Sequence, residues 1–236
     1  LEWGWRTQPL LHEDTPALDL LAMVLGQGRA SRLYREVRDA GLAHVVDAGN
    51  YTPEDLGVFN VSLETTPALA MSALRATAEV LRHAVDAATD DELERVRTVT
   101  RTRMARRMET VEGQANLLAD WQALGSWDLA IAYYRRMLET DTVQLRDVAA
   151  RYLSAERASL LAYVPRDAEL PDSAEDVREA LFGGVPARQG TSRAAQAASA
   201  SSSADHRPAP TARAADLERE EDGVRFYRSA GGAHVV

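Results

Sequence analysis

The hydrophobic positions switch period several times within the first 64 residues. Glu2–Gln8 alternates, with Trp3 and Trp5 on one side of the chain, and predicts a strand. From Thr15-Pro16 the spacing becomes helical, and Leu18, Leu21, Met23 and Leu25 supply the apolar stripe. Proline suits that start, because an N–H in the first helical turn has no intrahelical acceptor. Gly26-Gln27-Gly28 ends the helix, and Ser31 is placed to cap a second one over Arg32–Asp39. Leu42–Tyr51 and Val58–Glu64 then predict a hairpin. In its second strand Phe59, Val61 and Leu63 alternate with Asn60, Ser62 and Glu64, the signature of a sheet with one buried face.

Helical spacing dominates from there to Tyr152. Pro67 opens a helix carrying Ala70, Leu74, Ala78, Leu81 and Val85, with Glu64-Thr65-Thr66-Pro67 as a strand-to-helix joint that caps it. Asp90-Asp91-Glu92 starts another, since acidic side chains favour the positive end of a helix dipole. It runs through Leu93, Val96 and Thr100 toward Met108. Val111–Leu124, Asp128–Leu138 and Thr140–Tyr152 predict three more helices, with Trp121, Trp127, Tyr133 and Tyr134 read as core and packing aromatics. Ser159–Val164 returns as a strand before Pro165. Strands flanking a helical block predict an α+β fold, a two-layer arrangement of a mixed or antiparallel sheet packed on helices.

After Gly183 the pattern dissolves. Ala187–Ala215 is Ala, Ser, Arg, Gln and Pro with almost no large apolar residue, too little to offset the entropy of ordering it. The expected organisation is a domain over 1–183, a flexible linker over 184–216 and the start of a following module over 217–236. In that last piece, Gly223–Arg228 and Ala233–Val236 are two short strand patterns around Ala230-Gly231-Gly232.

Composition removes several function classes. There are 27 basic and 36 acidic residues, a formal net charge of −9, and every basic residue is an arginine. The chain has no cysteine, which excludes a disulfide framework, a thiolate nucleophile and cysteine-ligated metal. No run approaches the roughly 20 apolar residues of a membrane-spanning helix. The chain opens at Leu1, within a strand pattern and without methionine, as a piece of a longer product would. A targeting segment upstream is compatible with that, and the compartment stays open between cytoplasm and periplasm.

Two motifs invite chemistry and do not sustain it. Gly26-Gln27-Gly28 lacks the third glycine, the Lys-Ser/Thr pair and the strand leading directly into a phosphate loop, so it reads as a tight turn. Arg95, Arg97, Arg101, Arg103, Arg106 and Arg107 share one helix, but acidic residues interleave with them and no aromatic accompanies them. A solvated helix face is expected, with no nucleic acid partner.

The order of short motifs is more informative than any one of them. Asp14-x-Pro16, an apolar helix, Gly-x-Gly, Ser31-Arg32-Leu33-Tyr34, Gly41-Leu42-Ala43, a strand pair and Asp90-Asp91-Glu92-Leu93 follow one another. Further on come Glu139-Thr140-Asp141-Thr142-Val143 and Val148-Ala149-x-x-Tyr152-Leu153. Over about Trp3–Val164 this resembles the C-terminal, non-zinc half-module of the insulinase/pitrilysin (M16-type) zinc metallopeptidases, a processing-peptidase-like fold. Val224–Val236 resembles the opening hairpin of a next half-module, often Tyr-x-Leu-x-Asn-Gly in relatives.

The resemblance implies a chamber-forming half that grips a peptide substrate while a zinc-bearing half-module, on the same polypeptide or a separate subunit, cuts it. The family's zinc motif, His-x-x-Glu-His, has no match here. The histidines are His12, His44, His83, His206 and His234, and His83-Ala84-Val85-Asp86 is the nearest approach, with His83 expected on a helix surface. Zinc is therefore expected in the partner half, with no metal ligand and no catalytic residue in this chain. The family segment Leu-Arg-x-x-x-Gly-Leu-Ala-Tyr, whose Arg and Tyr reach the substrate backbone, corresponds to Val37-Arg38-Asp39-Ala40-Gly41-Leu42-Ala43-His44, one residue shorter and with histidine for tyrosine. The implied substrate-binding residues are Arg38 and His44, both hydrogen-bond donors suited to a peptide carbonyl or a developing oxyanion. A purely structural reading instead pairs Arg38 with Glu36 or Asp39 and half-buries His44. The resemblance also admits a catalytically inactive structural or assembly subunit of the same fold family.

Overall fold

The structure, a computed structural model, describes residues 1–53, 55–154, 157–163 and 177, together with strands at 216–221, 224–228 and 234–235. Four strands form one antiparallel sheet: β1 (Glu2–Thr7), β2 (Val45–Tyr51), β3 (Gly57–Glu64) and β4 (Ser159–Leu161), in the order β2-β3-β1-β4. The β2–β3 hairpin pairs Ala48 with Val61, and β1 sets Trp5 opposite Phe59. These registers carry Trp3, Trp5, Phe59, Val61 and Leu63 onto one buried face. The α+β two-layer expectation therefore holds, with the sheet wholly antiparallel. Beyond β4, Val164 lies outside the described residues.

Helix α1 (Thr15–Gly26) lies on that face against β2 and β3. It is covered in turn by α3 (Asp90–Met108), α5 (Asp128–Glu139) and α6 (Thr142–Tyr152). Enclosure on nearly every side corrects the expected single stripe. Leu20, Ala22 and Val24 are as buried as Leu18 and Leu21, whereas Met23 only packs against the margin of the core. Each fully enclosed Leu or Val is worth about 1.5–3 kcal/mol. Five of them in α1 outweigh any ion pair among the described residues. Gly26 ends the helix where it meets β2: a Cβ there would lie 2.2 Å from the Ala48 amide nitrogen.

A short 3-10 turn at Pro67–Leu69 leads into α2 (Ala70–Ala87), whose Leu74, Ala78 and Leu81 are buried. The side chain of Val85 lies outside the described residues. Thr66 makes no side-chain cap at this joint; Thr65 instead donates its hydroxyl to the Leu42 carbonyl, 2.6 Å away. Helix α3 does begin as its acidic start predicts. Thr89 and Glu92 form a capping box, and Asp141 with Gln144 repeats the device at α6.

The arginine-rich α3 is not simply a solvated face. Arg95 donates to the carbonyls of Met23 and Gln27 at the end of α1, and Arg97 to that of Thr140 just past α5. On α6, Arg146 does the same to Ala88 beyond α2. The last carbonyls of a helix lack N–H partners and carry partial negative charge, so a guanidinium satisfies both demands. Arg101 and Arg107 do face solvent, paired with Glu94 and Asp120.

Helix α4 (Val111–Ala123) and α5 bury only Leu117 and Ala130 fully. The aromatics there are packing rather than core residues. Trp121 and Tyr133 meet half-buried, their rings tilted at 49° with centroids 5.3 Å apart, and Trp127 is 49% exposed. The expected linker over 184–216 lies outside the described residues apart from Asp216. That residue opens β5 (Asp216–Glu221), which pairs antiparallel with β6 (Val224–Arg228), and β6 with β7 (His234–Val235). The two tail strands read from the sequence are β6 and β7. The highly charged β5 carries no apolar alternation to announce it.

Candidate functional site

The segment from Gly28 to His44 is built as a wound turn bolted to the core at two points. Leu33 and Val37 are completely buried, which fixes the side of the segment that faces inward. Ser31 does not cap a following helix, as its position suggested. Its hydroxyl turns back to the Gly28 carbonyl at 2.7 Å. The winding loosens over Tyr34–Arg38 into a π-helical turn, in which Asp39 donates its amide to Tyr34 and Leu42 to Val37, five residues apart in each case.

Of the four arginines in this segment, Arg32, Arg35 and Arg38 leave its wound part with different fates. Arg32 grips Glu92 with both ends of its fork, Nε to Oε1 at 2.7 Å and Nη2 to Oε2 at 2.6 Å. It also donates to the His83 carbonyl. Arg35 stands 4.0 Å from the same carboxylate. Burial of Glu92 works against its charge. The Arg32 fork and the Thr89 amide outweigh that and bring its pKa down to about 2. Arg38 is different. It is exposed, pairs with neither Glu36 nor Asp39, and lies over the Tyr34 ring at 4.7 Å. Among the described residues its guanidinium makes no hydrogen bond or ion pair.

Gly41 takes φ = +74°, a left-handed conformation that side-chain-bearing residues rarely adopt, and turns the chain from the wound segment into the sheet. Leu42 is tied by its carbonyl to Thr65, and the His44 amide donates to the Glu64 carbonyl at 2.8 Å, extending the β2–β3 ladder. The His44 side chain is exposed rather than half-buried. Arg38 and His44 thus sit on hydrogen-bonded backbone at either end of the Gly41 turn, without a direct bond between them among the described residues. A hollow of about 210 Å³ is lined by Leu1, Val45, Leu63, Glu64, Leu161 and Tyr163, and His44 is not part of its wall. A larger cleft of about 430 Å³ lies elsewhere, between the start of α1 and α6, among Asp14, Arg136, Asp147 and Arg151.

No three His, Asp or Glu side chains converge on a possible metal site among the described residues. His83 lies on the surface of α2 and contacts Glu79 at 2.7 Å. His206 and the side chain of His234 lie outside the described residues. The described residues therefore do not fit a zinc ion. Tyr34 is the member of this site that the motif reading missed. Its signal was an aromatic four residues before an arginine, a spacing at which two side chains on a wound segment meet.

An antiparallel sheet carrying a central helix under a helical layer is an architecture that known protein families share. Residues 1–100 match the family described as Peptidase M16 inactive domain, and the resemblance to the insulinase and pitrilysin metallopeptidases holds there. Among solved structures, a protease from Helicobacter pylori matches with 24% identity and a TM-score of 0.62, over 67% of this chain and 40% of its own. A candidate zinc protease from Bordetella pertussis matches at 22% identity and TM-score 0.56, over 67% and 90%. The inactive peptidase domain of another, from Bordetella parapertussis, gives 23% and 0.55, over 67% and 88%. At these identities the likeness is one of fold. The chain spans well under half of the Helicobacter pylori protein. A comparison with curated proteins finds no match.

Proposed function

We propose that this chain is the substrate-gripping half of a zinc-dependent metalloendopeptidase, with the zinc held by a partner half-module on the same polypeptide or a separate subunit. The observation that carries this reading is the Arg38 guanidinium. It is exposed and makes no hydrogen bond or ion pair among the described residues, while Arg32 is committed to Glu92 and Arg35 stands 4.0 Å from the same carboxylate. A cation so placed donates to a peptide carbonyl or to the oxyanion that develops when the carbonyl is attacked. His44, exposed beyond the Gly41 turn, adds one donor further along the same extended peptide. The chamber closes when the two halves meet, and a substrate segment that adds to a sheet edge there presents its carbonyls at regular spacing. In the partner half, the metal would supply the activated water.

His44 in place of tyrosine, and a loop one residue short, favour a second reading. A histidine reaches less far than a tyrosine, and a half-module that no longer touches substrate still packs against its partner as a structural or assembly subunit. Hydrolysis of a quenched peptide mixture by the full-length natural product separates the two. Cleavage that chelator removes and zinc restores supports the peptidase half. Folded protein that neither cleaves nor binds zinc supports the structural subunit.

A further inference from the structure

We infer that Tyr34 is a positioning residue for Arg38, a ring shelf that holds the guanidinium over the substrate path without using its donors. The inference rests on the reading that Arg38 contacts substrate. An arginine on an exposed turn has two ways to be held in place. A carboxylate fixes it but occupies the N–H groups, as Glu92 does to Arg32 through two bonds of 2.6 and 2.7 Å. An aromatic face attracts the cation through its quadrupole and takes no N–H hydrogen. Arg38 is held in the second way, 4.7 Å from the Tyr34 centroid, although Glu36 and Asp39 are its near neighbours in sequence.

The backbone is arranged for that contact. Tyr34 and Arg38 are the first and last residues of the π-helical turn, and the buried Leu33 and Val37 that precede them anchor each end. Turns of this kind are rare and are found frequently at functional sites. Residues 34 and 38, four apart on this wound segment, lie side by side on the outer surface. A half-buried ring on a fixed frame thereby restricts a long side chain that would otherwise sample many rotamers. Less ordering is then left for substrate binding to complete.

The test is a double-mutant cycle in the full-length natural product, read as kcat/KM on a quenched peptide mixture. Tyr34→Phe keeps the ring and is expected to stay within about twofold of the parent, while Tyr34→Leu falls about two- to fivefold, the scale of an exposed cation–π contact. In an Arg38→Ala background, Tyr34→Leu is expected to add nothing further. A Tyr34→Leu protein as active as the parent, beside an impaired Arg38→Ala, overturns the shelf and leaves the Arg38 reading standing. So does a Tyr34→Leu loss that persists undiminished without Arg38. An unimpaired Arg38→Ala, or a folded product that cleaves nothing, overturns both. Should Tyr34→Leu lower the melting temperature, Tyr34→Met replaces it in the cycle with unbranched bulk.

Discussion

Tyr133 donates its hydroxyl to Asp19 across 2.6 Å, joining α5 to the middle of α1 through a polar contact in an otherwise apolar seam. Asn50 on β2 donates to the other carboxylate oxygen at 2.8 Å and accepts from Thr7 on β1 at 3.1 Å, so sheet and helices share one chain of bonds. Burial is the largest influence on Asp19 and raises its pKa, against the two donors that lower it. Burial also raises the pKa of Tyr133, with the Asp19 charge adding to it. A buried acceptor that loses its donor keeps its desolvation cost. Tyr133→Phe is therefore expected to cost about 1.5–3 kcal/mol in urea denaturation.

Asp19 also predicts a pH dependence of definite sign. Its folded pKa lies above the ordinary 3.8, so between the two values the native state binds more protons than the unfolded chain. Its contribution to stability falls as pH rises through that window. Asp19→Asn removes the titration. The stability of this variant relative to the parent should therefore increase from pH 4 to pH 7. Parallel stability curves for the two proteins would refute the assignment.

Glu92 predicts the opposite slope. Its folded pKa of about 2 lies below the ordinary 4.5, so its stabilisation is complete above 4.5 and is lost as pH falls toward 2. Glu92→Gln is expected to cost about 1–2 kcal/mol at neutral pH, discounted for the water that reaches the pair. The gap to the parent should close between pH 4.5 and 2. A gap of constant size down to pH 2 would mean that Arg32 draws its hold from the His83 carbonyl instead.

How much of this was legible in the sequence depended on range. The β3 alternation of Phe59, Val61 and Leu63, the acidic start of α3 and the glycine break after α1 are local signals, and each appears where its residues place it. Contacts between residues far apart in sequence left no such mark. Nothing near Arg95 indicates that it would satisfy the end of α1, or near Asp19 that a tyrosine 114 residues later would reach it. Periodicity reports which face of a helix is apolar, not how many elements cover it. That is why α1 is enclosed on nearly every side while α4 leaves Val111 83% exposed. In the candidate site, Arg38 and His44 were marked by motif order, whereas Tyr34 was marked only by its four-residue spacing from Arg38, a signal that needs a wound segment before it means contact.

Gly26 and Gly4 should respond in opposite directions to the same substitution. Alanine is normally favoured over glycine inside a helix or strand by about 0.5–1 kcal/mol. At Gly26 the new Cβ would lie 2.2 Å from the Ala48 nitrogen and 2.9 Å from its Cα, and sheet backbone cannot move aside cheaply. Gly26→Ala is expected to be net destabilising by about 1–3 kcal/mol or more. At Gly4 the nearest neighbour is Val58 Cγ1 at 3.8 Å, ordinary contact, so Gly4→Ala should be neutral or slightly stabilising. Thermal melting of the pair checks both, and equal effects would mean that α1 does not press on β2 as closely as described.

Arg38 gives the decisive functional prediction, because its geometry separates charge from shape. If the guanidinium stabilises the oxyanion during cleavage, Arg38→Ala should lower kcat/KM of the full-length product by about 10- to 1000-fold, the range for loss of one transition-state donor. Arg38→Lys keeps the charge but loses the planar fork and most of its affinity for the Tyr34 face, so it should recover only part of that loss. His44→Ala removes a single donor beyond the Gly41 turn and should cost less than Arg38→Ala. Folding is not expected to suffer in any of the three, since both side chains are exposed and neither makes a hydrogen bond within the described residues. Melting temperatures should therefore stay near the parent while peptide cleavage drops. Cleavage that survives all three substitutions would leave the exposed guanidinium without a substrate and favour the structural subunit.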